Sequence, residues 1–328
     1  MVDLHQIGIV FGSLTPPEAL PSGARLAEEL GFGELWFSED CFFTGGMSGL
    51  TQLLSSTSSI PAGLGLASVM TRHPAVLAME LAGIARLHPG RTRAAIGLGN
   101  RHWLEQMGLL PDRPLTTVAE TYDAVGRLLR GDAVDTPTSQ HHFDDIALAF
   151  PPQSPPELWI GAVNERALRL AGARADGVLL SVLASPTYVR WAKRVIASGA
   201  QEAGRPVPRV TAFALAAVDD EERRAVDAVR DAVGFFVGAE AHTALVTRSS
   251  LASEIAERRA TGGAYAVPDH WVRDLAVAGD PDTVTERIGA LLDAGADSVG
   301  LWLFPPERLS VTMRQLSDSL AGPAVAEG

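Results

Sequence analysis

Short apolar runs recur along this chain, each followed by a polar or glycine-bearing turn and then by a stretch with recognisable helix caps. That alternation limits the fold more than any other feature, because a strand returning to a parallel neighbour needs a long crossover, usually a helix. The runs cover residues 6–11, 34–38, 63–69, 93–98, 157–162, 177–182, 210–218 and 298–304. Helices are expected at 22–30, 73–87, 117–129, 165–173, 185–202, 219–237, 280–294 and 307–320. Gly31, Pro89-Gly90, Gly131 and Gly295 stop helices, whereas Ser185-Pro186 and Asp280-Pro281 start them, and Asn164 is placed to cap the helix after the fifth strand. Eight strand–helix units predict a (β/α)8 TIM barrel, an α/β fold in one domain over residues 1–328. Excursions at 132–156, with five prolines, and at 238–278, with a helix near 250–260, account for the extra length. A doubly wound sheet is the competing reading. Its phosphate turn needs GxGxxG after the first strand, and Gly12-Ser13-Leu14-Thr15-Pro16 lacks the second glycine.

The 39 acidic and 27 basic residues leave a net charge of −12, a field that repels phosphate backbones and anionic lipid. Nucleic-acid and membrane partners are therefore not expected. Cys41 is the single cysteine, so no internal disulfide or cysteine-based zinc site is expected. The start lacks the basic region of a signal peptide, and no apolar run approaches the roughly 18 residues of a membrane span. A cytoplasmic protein is the expectation.

In a barrel the active site lies where the strands end. Those positions are Phe11-Gly12, Glu39 to Phe43, Ser68-Val69-Met70, Gly97 to Trp103, Gly161 to Asn164, Ser181 and Leu303-Phe304. They carry no GxSxG nucleophile and no HExxH, while glycine and aromatic residues abound. Such a mouth suits a planar cofactor that performs the chemistry while the protein orients it.

Several segments resemble the luciferase-like family of flavin- and deazaflavin-dependent oxidoreductases. They are Trp36-Phe37-Ser38-Glu39-Asp40-Cys41-Phe42, Thr71-Arg72-His73-Pro74-Ala75 with Ala78-Met79-Glu80, Pro89-Gly90-Arg91 with Ile96-Gly97-Leu98-Gly99, Ala171-Gly172 with Ala175-Asp176-Gly177, and Gly279-Asp280-Pro281 with Ala294-Gly295-Ala296-Asp297. The resemblance implies a (β/α)8 barrel that binds FMN or coenzyme F420, an 8-hydroxy-5-deazaflavin. The deazaflavin branch is favoured, with hydride transfer to or from a small organic substrate. A reduced-FMN monooxygenase is the alternative. A non-catalytic partner subunit is a third reading, against which Gly97, Gly99 and Gly161 argue. A homodimer is also implied.

The resemblance further implies a bulge with a non-prolyl cis peptide at a pair similar to Ser68-Val69, with Val69 backing the ring. Asp40 matches the acidic residue that reaches the deazaflavin head. Cys41 stands where many deazaflavin members carry a proton-donating His and is itself a candidate for catalysis or for substrate contact; His102 is the better replacement, with Glu105 a weaker acid. Gly97, Gly99 and Asn100 are expected against the cofactor, and Gly161, Ala162 and Asn164 at its phosphate, where free helix N–H groups suit an anion. Phe42, Phe43, Met70 and Trp103 are expected to wall the substrate pocket. Arg72 and His73 are placed to pair near Glu80, and the 238–278 excursion, with Gly262-Gly263, suits a lid.

Overall fold

The computed structural model describes residues 2–261 and 266–321. Its strands are β1 (Ile7–Phe11), β2 (Glu34–Phe37), β3 (Ala62–Ser68), β4 (Thr92–Gly97), β5 (Glu157–Gly161), β6 (Gly177–Leu180), β7 (Arg209–Val218), β8 (Val277–Gly279) and β9 (Ser298–Leu303). All pairings between them are parallel. The ring runs from β1 through β7 and closes through β9, which pairs with β7 on one side and β1 on the other. This is a closed eight-stranded TIM barrel, as the alternation predicts.

The ninth strand is a correction. Val277 and Ala278 close the 238–278 excursion in the sequence reading, yet Val277–Gly279 pairs with Ala216 to Val218 of β7. Ala216 also pairs with Leu303, so β8 occupies the β7 edge opposite β9 and prolongs that edge beyond β6.

Both faces of each strand are buried, as parallel strands between a helix layer and an interior require. The period-2 alternation sorts them. Leu35 and Phe37 join the large core beneath the helices together with Ile7, Ile9, Phe11, Val299 and Leu301, while Val10, Trp36 and Trp302 point inward. Trp36 meets Trp159 edge-on at 5.2 Å and Phe213 at 5.7 Å, which fills the centre of the ring.

At the amino-terminal ends of the strands a polar plug closes the barrel. Arg93 bridges Glu34 at 2.5 Å and Glu157 at 3.0 Å, and the Ser298 hydroxyl donates to Glu34 Oε1 at 2.8 Å. These groups are paired with one another, as buried charges must be, and they leave the opposite rim free for chemistry.

That rim is partly capped. The segment between β7 and β8 forms helices at Glu222–Glu240, Ala244–Thr247, Ala252–Thr261 and Asp269–Leu275. It buries Val226, Val229, Val233 and Val237 against the interior cluster, and Phe236 lies 6.0 Å from the Trp302 ring. The excursion therefore begins well before residue 238, and the helix that returns the chain to the ring is Pro281–Asp293. Gly262-Gly263, the expected hinge, lies outside the described residues. Among the described residues no helix is long and apolar enough to cross a membrane.

Candidate active site

The open part of the rim lies over β2, β3 and β4. A cleft of about 240 Å³ there is bounded by the loop from Glu39 to Gly45, by Leu66, Ser68 and Arg72, and by Gly99, Asn100, Trp103 and Leu104.

The β2 loop starts where the Ser38 N–H donates to the Phe11 carbonyl at 3.0 Å, tying it to the end of β1. Glu39 borders the cleft and fixes the loop. It accepts from Gly46 N at 2.9 Å and from both terminal nitrogens of Arg72 at 2.9 and 2.6 Å. Arg72 Nε also lies 3.2 Å from Glu80 Oε2, so the expected pairing with Glu80 forms, but the stronger partner is Glu39. His73 does not join it; its Nδ1 accepts from Ala75 N at 3.1 Å and caps the helix Pro74–Leu87.

Asp40 is the acid of the cleft. Burial raises its pKa, the neighbouring Glu39 charge adds to the rise, and hydroxyls of Ser13 and Ser38 oppose it. Burial also raises the Cys41 thiol, reinforced by Glu39 and Asp40 and opposed by Arg72. The thiol thus stays protonated, the state of a packing group rather than a nucleophile. Phe42 has φ of +74° and, with Phe43, projects from the rim, 68% and 54% exposed.

The β3 bulge lies three residues before the expected pair. Register slips between Leu64 and Ala67, and the non-prolyl cis peptide is Gly65-Leu66. Val69 is fully buried beneath the helices and donates to the Gly97 carbonyl at 2.9 Å, so it forms no wall of the cleft. Leu66 does. A Cβ on Gly161 would lie 2.3 Å from Leu66 Cδ2, and one on Gly97 would lie 2.8 Å from it. The two glycines therefore make room for Leu66, which forms the back wall that had been expected of Val69. The signal available was Gly63-Leu64-Gly65-Leu66, since glycines inside a strand mark a bulge or a close approach.

Ser68 is occupied locally. Its hydroxyl donates to the Leu98 carbonyl at 2.6 Å and accepts from Met70 N at 3.2 Å. Gly99, with φ of +87°, packs against it. Met70 packs on the core beneath the helices and does not border the cleft.

Asn100 caps the short helix Arg101–Gln106, accepting from His102 N at 2.9 Å and Trp103 N at 3.4 Å. The cap turns Trp103 toward the cleft and His102 toward solvent, so His102 is not brought to the site. Glu105 is exposed as well and pairs with Arg101 at 2.9 Å.

On the far side of the mouth, Asn164 stands at the cap position of the helix Glu165–Arg174, but its side chain does not cap it. Its Oδ1 instead accepts from Ala244 N at 2.9 Å and ties the β5 loop to the segment between β7 and β8. Ala162 donates to the Leu179 carbonyl at 3.1 Å. The first N–H groups of the helix Glu165–Arg174 thus have no side-chain cap.

A parallel barrel with one acid-bearing cleft at its carboxyl-terminal rim defines the class. The chain belongs to the luciferase-like monooxygenase family, whose model matches residues 5–298. It is 29% identical over 305 residues to a 5,10-methylenetetrahydromethanopterin reductase of Methanolobus tindarius, covering 89% of this chain and 92% of that protein. It is 28% identical over 300 residues to an F420-dependent hydroxymycolic acid dehydrogenase of Mycobacterium tuberculosis, covering 85% and 77%. Its fold is similar to that of an F420-dependent secondary alcohol dehydrogenase solved with an F420-acetone adduct, at a TM-score of 0.81 and 18% identity over 96% of this chain and 98% of that one.

Proposed function

We propose that the chain is a coenzyme F420-dependent oxidoreductase that moves a hydride between the deazaflavin and a small organic substrate in the β2–β4 cleft. The observation that carries this reading is the pairing of an apolar back wall, Leu66 seated between Gly97 and Gly161, with a half-buried carboxyl at Asp40 whose pKa is raised. A flat redox ring needs that kind of wall and no reactive metal or nucleophile. The named relatives support the choice of deazaflavin.

When bound, the deazaflavin supplies the carbon that gives or takes the hydride. Leu66 would support its face, with Gly99 and Asn100 bordering the same cleft. The uncapped helix start after Asn164 offers N–H donors to its phosphate. Asp40 holds or releases the proton that accompanies the hydride, its raised pKa bringing that exchange closer to neutral pH. The Ser13 and Ser38 hydroxyls orient its carboxyl, and Trp103 and Phe43 wall the substrate side. Cys41 packs.

The reading also includes a homodimer. The helix Pro74–Leu87 is apolar on its outer as well as its inner face, and Val76, Met79 and Leu87 stand exposed beside Phe150 along a groove of about 720 Å³. Exposed apolar side chains gathered along one groove call for a second covering surface, and a self-matching patch on a second copy would supply it.

Titration of the purified protein with F420 and with FMN tests the cofactor assignment. Tighter F420 binding is expected; FMN binding tighter by tenfold, about 1.4 kcal/mol, overturns it in favour of a flavin monooxygenase.

A further inference from the structure

We propose that His73 and His141 form an acid-released clasp behind the cleft: as neutral rings they hold the tip of the hairpin 134–146 against the turn that carries Arg72, and protonation lets both go. The clasp acts on the loop that bears Asp40 and does not depend on which cofactor the cleft takes.

The hairpin is rooted in the antiparallel bridge between Val134 and Ile146, and its tip is tied at three points. Ser139 donates to Glu120 Oε2 of the helix Pro114–Leu129, through its N–H at 2.7 Å and its hydroxyl at 2.5 Å. His73 Nε2 donates to the His142 carbonyl at 3.1 Å, and His141 meets the Val69 carbonyl just past β3. Phe143, 1% exposed, packs against the His73 ring at 4.9 Å.

Both imidazoles hold only without an added proton. His73 Nδ1 accepts from Ala75 N at 3.1 Å, so its one ring hydrogen sits on Nε2 and serves the His142 carbonyl. A proton on Nδ1 would set two donors face to face and remove the cap of the helix Pro74–Leu87. His141 Nε2 is sealed from solvent and has no partner. A proton there makes an unsatisfied buried donor, in a ring whose centre lies 4.9 Å from that of His73. Burial lowers the His141 pKa, His73 adds to the fall, and the Val69 carbonyl and Glu120 oppose it. Glu120 faces the pair from the helix Pro114–Leu129, while His142, Asp144 and Asp145 on the hairpin are exposed. Arg72, next to His73 in the chain, is held by Glu39 and Glu80.

The clasp reaches the cleft through one short turn. Residues 69–73 join β3 to the helix Pro74–Leu87, and Arg72 within them grips Glu39, which in turn accepts from Gly46 N at 2.9 Å. Glu39 holds this turn from the cleft side and the imidazole pair holds it from behind. Release of the pair leaves one anchor in place of two, and the grip on the Asp40 loop weakens with it.

The test is hydrogen exchange between pH 8 and pH 5.5, read as protection factors at Ser139, Ala75 and Gly46, with amides of β5 and β6 as the reference for the intact fold. In the wild type, protection at Ser139 and Ala75 is expected to fall about fivefold or more below 6.5, the ordinary histidine value, with Gly46 falling alongside and the reference amides unchanged. The variant with His73→Asn and His141→Gln keeps an acceptor for Ala75 N and a donor for the Val69 carbonyl, and it is expected to show no pH dependence at the three amides. Should that variant fail to fold, the ring C–H resonances of His141 in the wild type decide, with a titration midpoint expected below 6.5. Constant protection at Ser139 and Ala75, an unmoved Gly46 while those two fall, a double variant that behaves as the wild type, or a His141 midpoint at or above 6.5 overturns the proposal.

Discussion

Arg72 grips Glu39 through two hydrogen bonds, 2.9 Å from Nη1 and 2.6 Å from Nη2, and this one pair fixes the loop that carries Asp40, Cys41, Phe42 and Phe43. A planar guanidinium matched to a carboxylate gives geometric definition as well as energy. Glu39 is thus a fastening, which leaves the adjacent Asp40 as the acid available for chemistry.

Arg72→Gln is expected to cost about 2 kcal/mol of stability. Removing one partner of a fully buried pair costs about 3–5 kcal/mol, and this pair retains 20% and 12% side-chain exposure. Glu39→Gln should cost a similar amount, and the double variant less than the sum of the two. Urea denaturation of the four proteins measures the coupling; strictly additive losses would show that the pair does not act as a unit.

Asp40→Asn separates chemistry from stability. A carboxyl whose pKa is raised by burial stabilises the fold most below its ordinary value of 3.8, and that contribution is lost as pH rises through the folded-state value. The asparagine variant is therefore expected to resist urea better than the wild type at neutral pH, with the gain vanishing as pH falls toward 3.8. Turnover should drop about a hundredfold or more, the usual worth of a positioned proton-transfer group. Unchanged turnover removes Asp40 from the reaction.

His141 makes the opposite prediction for pH. Burial lowers its pKa, the nearby His73 adds to the fall, and the Val69 carbonyl and Glu120 oppose it. Its contribution is present above 6.5 and lost as pH falls toward the folded-state value. His141→Gln is expected to flatten the decline in melting temperature below 6.5. A residual slope should remain, because burial and Arg91 lower His88 in the same direction. A variant profile identical to that of the wild type contradicts this assignment.

Two glycines should respond differently to alanine. At Gly172 the added Cβ would sit 2.1 Å from the Ile196 carbonyl oxygen, a backbone atom that moves only if the helices Glu165–Arg174 and Pro186–Glu202 separate. Gly172→Ala is expected to cost about 3 kcal/mol. At Gly161 the obstacle is Leu66 Cδ2, the movable end of a side chain, so Gly161→Ala should cost less than about 1 kcal/mol. Thermal denaturation of both variants decides the ranking.

The strand runs and their caps were legible because parallel barrel strands are apolar on both faces and end at glycine or at capping residues. Ser185 accepts from Tyr188 N, and Asp280 from Thr283 N, as the sequence predicts. The three-residue β8 was not legible, since Val277-Ala278-Gly279 is too short to show a period. The direction of loop side chains was not legible either. His102 and Trp103 are adjacent, and the Asn100 cap decides which of them faces the cleft. Asn164 is a good cap by residue type, but the backbone N–H of Ala244, eighty residues later in the chain, claims its side chain. The β3 bulge was placed at Ser68-Val69 because the run 63–69 reads as one strand, whereas the break falls at Gly65-Leu66 inside it.

The most direct measurement is a fluorescence titration of F420 into the wild type and into Leu66→Trp, with the melting temperature of each recorded. The expected result is saturable binding by the wild type and a loss of tenfold or more in the variant, whose enlarged side chain fills the cleft, with a melting temperature that is lowered by the overpacking but still well above the titration temperature. Absence of F420 binding by the wild type, or equal affinity in the two proteins, contradicts a deazaflavin seated against Leu66.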